Sequence, residues 1–96
     1  MDLEGFRATL GEAAPPTAPP ALQALWRAAK GEWEAAHQLA QGQEDAAGSW
    51  VHAHLHRIEG DEANAGYWCR RAGKPHSRRP LEEEWAEIAE ALLARP

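Results

Sequence analysis

His52 and His56, four residues apart, are the side chains of this sequence best placed to do chemistry together. On a helix that spacing puts both imidazoles on one face, near enough to share a metal ion, and Glu59 or His37 completes a set of three ligands. Zinc or a similar divalent ion is what such a set takes; no other cofactor is expected. The competing expectation is structural. His52 and His56 would then hydrogen-bond to Glu59, Asp61 or a backbone carbonyl and fix the angle between helices, with His37 a satisfied histidine on an apolar stripe. A second constellation, Arg57, Asn64, Tyr67, Trp68 and Arg71, sets donors beside aromatic faces and suits a planar or anionic ligand. Trp50 and Arg70 extend it into a candidate binding surface. Trp stacked under Arg is also a common surface arrangement, and tryptophans thicken an alanine-rich core.

Motifs for catalysis are missing. The sequence has no nucleophile elbow, phosphate-cradling glycine loop, HExxH or cysteine paired in sequence with a histidine. A binding role is therefore expected ahead of a catalytic one, with an acid/base pair drawn from His52, His56 and Glu59 as the remaining enzymatic reading. The net charge of −5 is unevenly spread. Arg70, Arg71, Lys74, Arg78 and Arg79 are half of all the bases, and without them five bases face fifteen acids. An acidic body with one basic patch would repel a nucleic-acid backbone, which argues against that partner.

The elements that must position these residues are helical. Alanine dominates the apolar content while valine, isoleucine and threonine are few, which favours helix over strand. The spacing predicts a short helix within residues 2–12, a proline-rich linker from Ala13 to Pro20, and helices over 21–30, 32–41, 50–59 and 61–72. The basic loop follows, and Pro80 then opens a last helix carrying Leu81, Trp85, Ile88, Ala89 and Leu92 on one stripe. In its first turns Glu82, Glu83 and Glu84 read as a solvated acidic face that complements the dipole. Asp45 or Ser49 is the expected N-cap of the third helix of the run, on which Val51, Leu55 and Ile58 form the core stripe and His54 points elsewhere. Residues 1–20 form an N-terminal segment and residues 21–96 one domain. No apolar run approaches the roughly 20 residues that would cross a bilayer, so no membrane partner is expected. One cysteine and the lack of a basic-then-apolar N-terminus make the cytoplasm the expected compartment.

Aligning Gly31 with Gly60 superimposes two helix-turn-helix units 29 residues apart: Ala24 falls on Ala53, Glu32 on Asp61 and Ala36 on Ala65. Over Ala21–Ala72 the chain thereby resembles tetratricopeptide and related short helical repeats, where a glycine opens the second helix and an alanine five residues later lets the helices touch. The stretch Trp50–Gly73 also resembles a family of small uncharacterised proteins with the pattern W-V-H-A-x-L-H-R-x-E-G-D-x-x-N-A-x-Y-W-x-R-R-A-G. That resemblance implies no activity.

The expected fold is all-α: two stacked helical hairpins closed by the C-terminal helix. Two such units bury little, so self-association as a homodimer or capture of a protein partner is the leading functional expectation, anchored by Trp50, Tyr67, Trp68, Arg70 and Arg71. The alternative belongs to another class: a metal- or small-anion-binding protein built on His37, His52, His56 and Glu59.

Overall fold

The computed structural model describes residues 1–94; Arg95 and Pro96, the end of the expected 21–96 domain, lie outside the described residues. The chain is all-α, with helices α1 (Leu3–Ala8), α2 (Pro20–Ala29), α3 (Trp33–Gln41), α4 (Ala46–Ile58), α5 (Glu62–Ala72) and α6 (Leu81–Leu93). Helices α2 and α3 form one hairpin and α4 and α5 a second, with α3 laid against α4 and α6 closing the far side over α2 and α4.

The two hairpin turns are built alike. Gly31 and Gly60 take left-handed φ angles of 80° and 81°, which only glycine adopts without cost. Each is followed by a backbone N–H that reaches back five residues, Glu32 to Arg27 and Asp61 to His56, both at 2.9 Å. These bonds satisfy carbonyls that a helix end would otherwise orphan. Asp45 caps α4 by accepting from the Gly48 N–H at 2.9 Å, so α4 begins four residues earlier than its apolar stripe suggests. Gly48 permits that early start. A Cβ there would stand 2.8 Å from the Gln43 carbonyl carbon and closer still to its oxygen, so the connector can fold back on the new helix only at glycine.

Helix α4 is the centre of the molecule, buried without interruption from Val51 to His56 because α2, α3, α5 and α6 surround it. A helix enclosed on every side has no solvent face for its polar residues. Ser49, His52, His54 and His56 are all buried as a result. The main core joins Leu25, Trp26, Val51, Leu55, Trp85 and Ile88 to Phe6, so α1 also contributes to it. Phe6 is 1% exposed and stacks on Trp85 at 5.7 Å. Buried indoles need acceptors, and two find them on neighbouring helices: Trp85 Nε1 donates to the Leu25 carbonyl and Trp33 Nε1 to the Leu55 carbonyl, each at 2.7 Å.

Three local expectations are corrected here. Glu84 is not part of a solvated acidic face: it is 2% exposed and turned inward. His54 does not point away from the core but meets that carboxylate, Nδ1 to Oε1 at 2.7 Å. Ile58, expected in the core, is 40% exposed and lies on the surface at the last turn of α4. Arg57 Nη1 donates to the same Glu84 oxygen at 2.9 Å and Nη2 to the Arg79 carbonyl at 2.7 Å. Burial pushes the Glu84 carboxyl up, yet the hydrogen bond and charge of His54, followed by those of Arg57, reverse this and hold it below the usual carboxylate range.

Candidate metal centre

Helices α3 and α4 bring three histidines together. His52 and His56 project from one face of α4 with ring centroids 4.9 Å apart and planes 22° from parallel. His37 arrives from α3 edge-on to both, at 4.5 Å from His52 and 5.6 Å from His56. One ring nitrogen from each of the three lies within 4.8 Å of the others. The set is framed by aromatic faces: Trp33 stacks on His37 at 4.8 Å and Trp68 of α5 on His52 at 3.8 Å. Such stacking fixes ring planes while leaving ring-edge nitrogens open.

Hydrogen bonding separates the three. His56 Nδ1 is engaged by Glu59 Oε1 at 2.6 Å, which leaves its Nε2 for another partner. Among the described residues neither His37 nor His52 makes a hydrogen bond, although His52 is only 4% exposed. Buried imidazoles normally find a partner. The His52 nitrogens nevertheless keep some access to solvent, since Arg57 Nε is the one sealed side-chain polar atom without a partner among the described residues. Their opening is a polar crevice bordered by Gln41, Glu44, Ser49, Trp68 and Arg71.

The electrostatics keep His52 neutral. Burial, then the neighbouring His37, His56 and Arg71, push its pKa from 6.5 down to about 4. Between those values the unfolded chain holds a proton that the folded chain refuses, so this group's stability contribution is complete above pH 6.5 and is lost as the pH falls toward 4. Metal-free protein should therefore lose roughly 2–3 kcal/mol more over that interval than a His52→Phe variant, which keeps the stack on Trp68 without titrating. Urea denaturation at a series of pH values measures the difference, and parallel profiles for the two proteins would contradict it.

The other expected binding residues do not form one surface. Tyr67 is 44% exposed and accepts from Arg71 Nη1 at 3.1 Å, while the Arg71 guanidinium lies over both Tyr67 and Trp68. Arg57 is drawn away by Glu84, and Asn64 is tied to the Asp61 carboxylate by its backbone N–H at 3.1 Å and its side chain at 2.8 Å. Those two bonds hold Asp61 below the usual carboxylate range. Trp50 is half-buried with Lys74 over its ring at 4.3 Å, and Arg70 is exposed beside His76 near Gly66. Burial pushes the Cys69 thiol up and the Glu84 charge adds to the shift, which marks a packed residue.

No protein-family model, curated protein or solved structure matches this chain. Among the described residues no helix is long and apolar enough to cross a membrane.

Proposed function

We propose that this protein binds a divalent metal ion, with zinc the best fit, through His37, His52 and His56. The observation that carries the reading is the pair of unbonded imidazoles, His37 and His52, facing a third whose Nδ1 is already held by a carboxylate. A carboxylate behind a ligating histidine fixes its tautomer and raises its basicity, which gives Glu59 the part of an outer partner. The low pKa of His52 keeps it in the ligating form at neutral pH. Zinc with bonds of about 2.0–2.1 Å sets tetrahedral ligand nitrogens about 3.3 Å apart, so ring torsions must close the set from its present 4.8 Å limit. Three protein ligands would leave a fourth position to water, and zinc held there would lower that water's pKa toward about 7.

Glu59→Gln tests the outer partner. It keeps the shape and one acceptor but removes the charge, and is expected to weaken zinc binding by roughly 10–100-fold with little change in the metal-free melting temperature. A competition titration against a chromophoric chelator measures this; wild-type affinity in the variant would remove Glu59 from the site.

The interaction reading keeps one specific observation in its favour. Exposed Tyr67 and Arg71, with the half-buried Trp68 beneath the Arg71 guanidinium, form an aromatic and arginine patch on α5, the composition of a contact hot spot. A homodimer or a protein partner meeting the chain there is the second proposal, and a solution mass above that of one chain supports it.

A further inference from the structure

The loop between α5 and α6 carries Lys74, Arg78 and Arg79 and is tied to the rest of the chain along its length. The Lys74 N–H donates to the Cys69 carbonyl at 3.0 Å, and His76 Nε2 meets Glu62 Oε1 at 2.7 Å. The Arg79 N–H donates to Ser77 Oγ at 3.2 Å, and the Arg79 carbonyl accepts from Arg57 Nη2 at 2.7 Å. A loop held in this way presents its cations from a fixed backbone, which lowers the ordering cost of binding. Between it, Trp50 of α4 and Glu84 and Glu87 of α6 lies a cavity of about 440 Å³, within the roughly 300–1,000 Å³ common for small-molecule sites. Lys74, Arg78 and Arg79 are exposed around this cavity, Trp50 is half-buried, and Glu84, 2% exposed, is the most buried residue that lines it.

Two features of the lining select a ligand. The first is a carboxylate oxygen. Glu84 Oε1 is engaged by both His54 Nδ1 and Arg57 Nη1, whereas Oε2 has no hydrogen-bond partner among the described residues and is not sealed from solvent. A carboxyl group held below its usual range stays ionised and only accepts, and Arg57 already matches its charge. Oε2 therefore calls for a neutral O–H or N–H donor. The second feature is uncompensated charge. Arg79 faces Glu87 at 3.6 Å, but Lys74 and Arg78 make no ion pair among the described residues. Two free cations call for a dianion, and the guanidinium fork of Arg78 suits phosphate oxygens.

We infer that this cavity binds a small phosphorylated alcohol, with its phosphate against Lys74 and Arg78 and a hydroxyl donating to Glu84 Oε2. The inference stands apart from the metal reading, and a chelator in every sample keeps zinc from holding the phosphate. Calorimetry on the full chain compares glycerol phosphate with propyl phosphate, which keeps the dianion and lacks the hydroxyls. Glycerol phosphate is expected to bind at one per chain and about tenfold or more tightly than propyl phosphate, because only it can satisfy the charged acceptor. The Glu84 side-chain carboxyl carbon resonance should move on addition of glycerol phosphate and hold still with propyl phosphate. Arg78→Glu, at an exposed position without a hydrogen bond or ion pair among the described residues, should weaken glycerol phosphate about tenfold or more while the melting temperature holds. Equal affinity for the two compounds, no saturable binding of glycerol phosphate, full binding by Arg78→Glu, or an unmoved Glu84 resonance would each overturn the assignment.

Discussion

Zinc added to chelator-stripped protein at about a hundredfold excess over Kd should raise the melting temperature by roughly 10–20 °C, and His52→Ala should abolish the rise. The magnitude follows from linkage, since a ligand at 100 times Kd that binds only the folded chain contributes about 2.7 kcal/mol. For a domain of this size each kcal/mol moves the midpoint by about 4–8 °C. The informative quantity is the zinc-dependent increment. His52→Ala also loses its stack on Trp68 at 3.8 Å, so the metal-free variant melts lower on its own account. Losing a direct ligand should cost more than the roughly 10–100-fold expected for an outer partner such as Glu59. Differential scanning fluorimetry with and without zinc reads both effects, and an equal increment in wild type and variant would contradict the site.

Glu84→Ala is expected to be the most damaging single substitution, lowering stability by about 3–5 kcal/mol. It strands Arg57 and His54, two groups that lie around one buried carboxylate oxygen, and Arg57 Nε already lacks a partner among the described residues. Against a typical total of about 5–15 kcal/mol, that loss brings the chain close to unfolding at physiological temperature. Replacing the cluster at once, as His54→Leu with Arg57→Met and Glu84→Leu, should recover most of the stability, because an apolar core needs no compensation for desolvated charge. Chemical denaturation of both proteins checks the pair. A loss below about 1 kcal/mol for Glu84→Ala would mean that water, and not the carboxylate, satisfies Arg57 and His54.

How far these features can be read in the sequence depends on whether they are local. Helix positions and turns follow from near neighbours: Gly31 and Gly60 end their helices in left-handed conformations, Asp61 accepts from Asn64, and Pro20 opens α2. The pairing of His52 with His56 is likewise set by helical spacing alone. The partners across the core were harder to read. His37 reaches the pair only because α3 packs on α4, which the 29-residue offset between the glycines suggests but does not fix in register. Glu84 was obscured by the two glutamates before it, although its i+4 spacing to Ile88 and Leu92 marks it as inward-facing. For α4 the periodicity itself fails. A helix enclosed on all sides shows no polar face, so the expectation that His54 points away from the core stripe misses its burial, and only the position of α6 reveals its partner. The separation of Trp50 and Arg57 from Tyr67 and Arg71 has the same origin, because α4 turns the first two toward Lys74 and Glu84 while α5 carries the second two on its exposed face.

The most direct test of the metal centre is native mass spectrometry of chelator-stripped protein after addition of one equivalent of zinc. The site as described predicts a single zinc per chain in wild type, and no retained zinc when His37, His52 and His56 are each replaced by glutamine. The same spectrum reads the oligomeric mass and so bears on the patch at Tyr67, Trp68 and Arg71. Wild-type protein that keeps the charge states of a folded chain but carries no zinc, or a triple variant that holds zinc as tightly, would contradict the account.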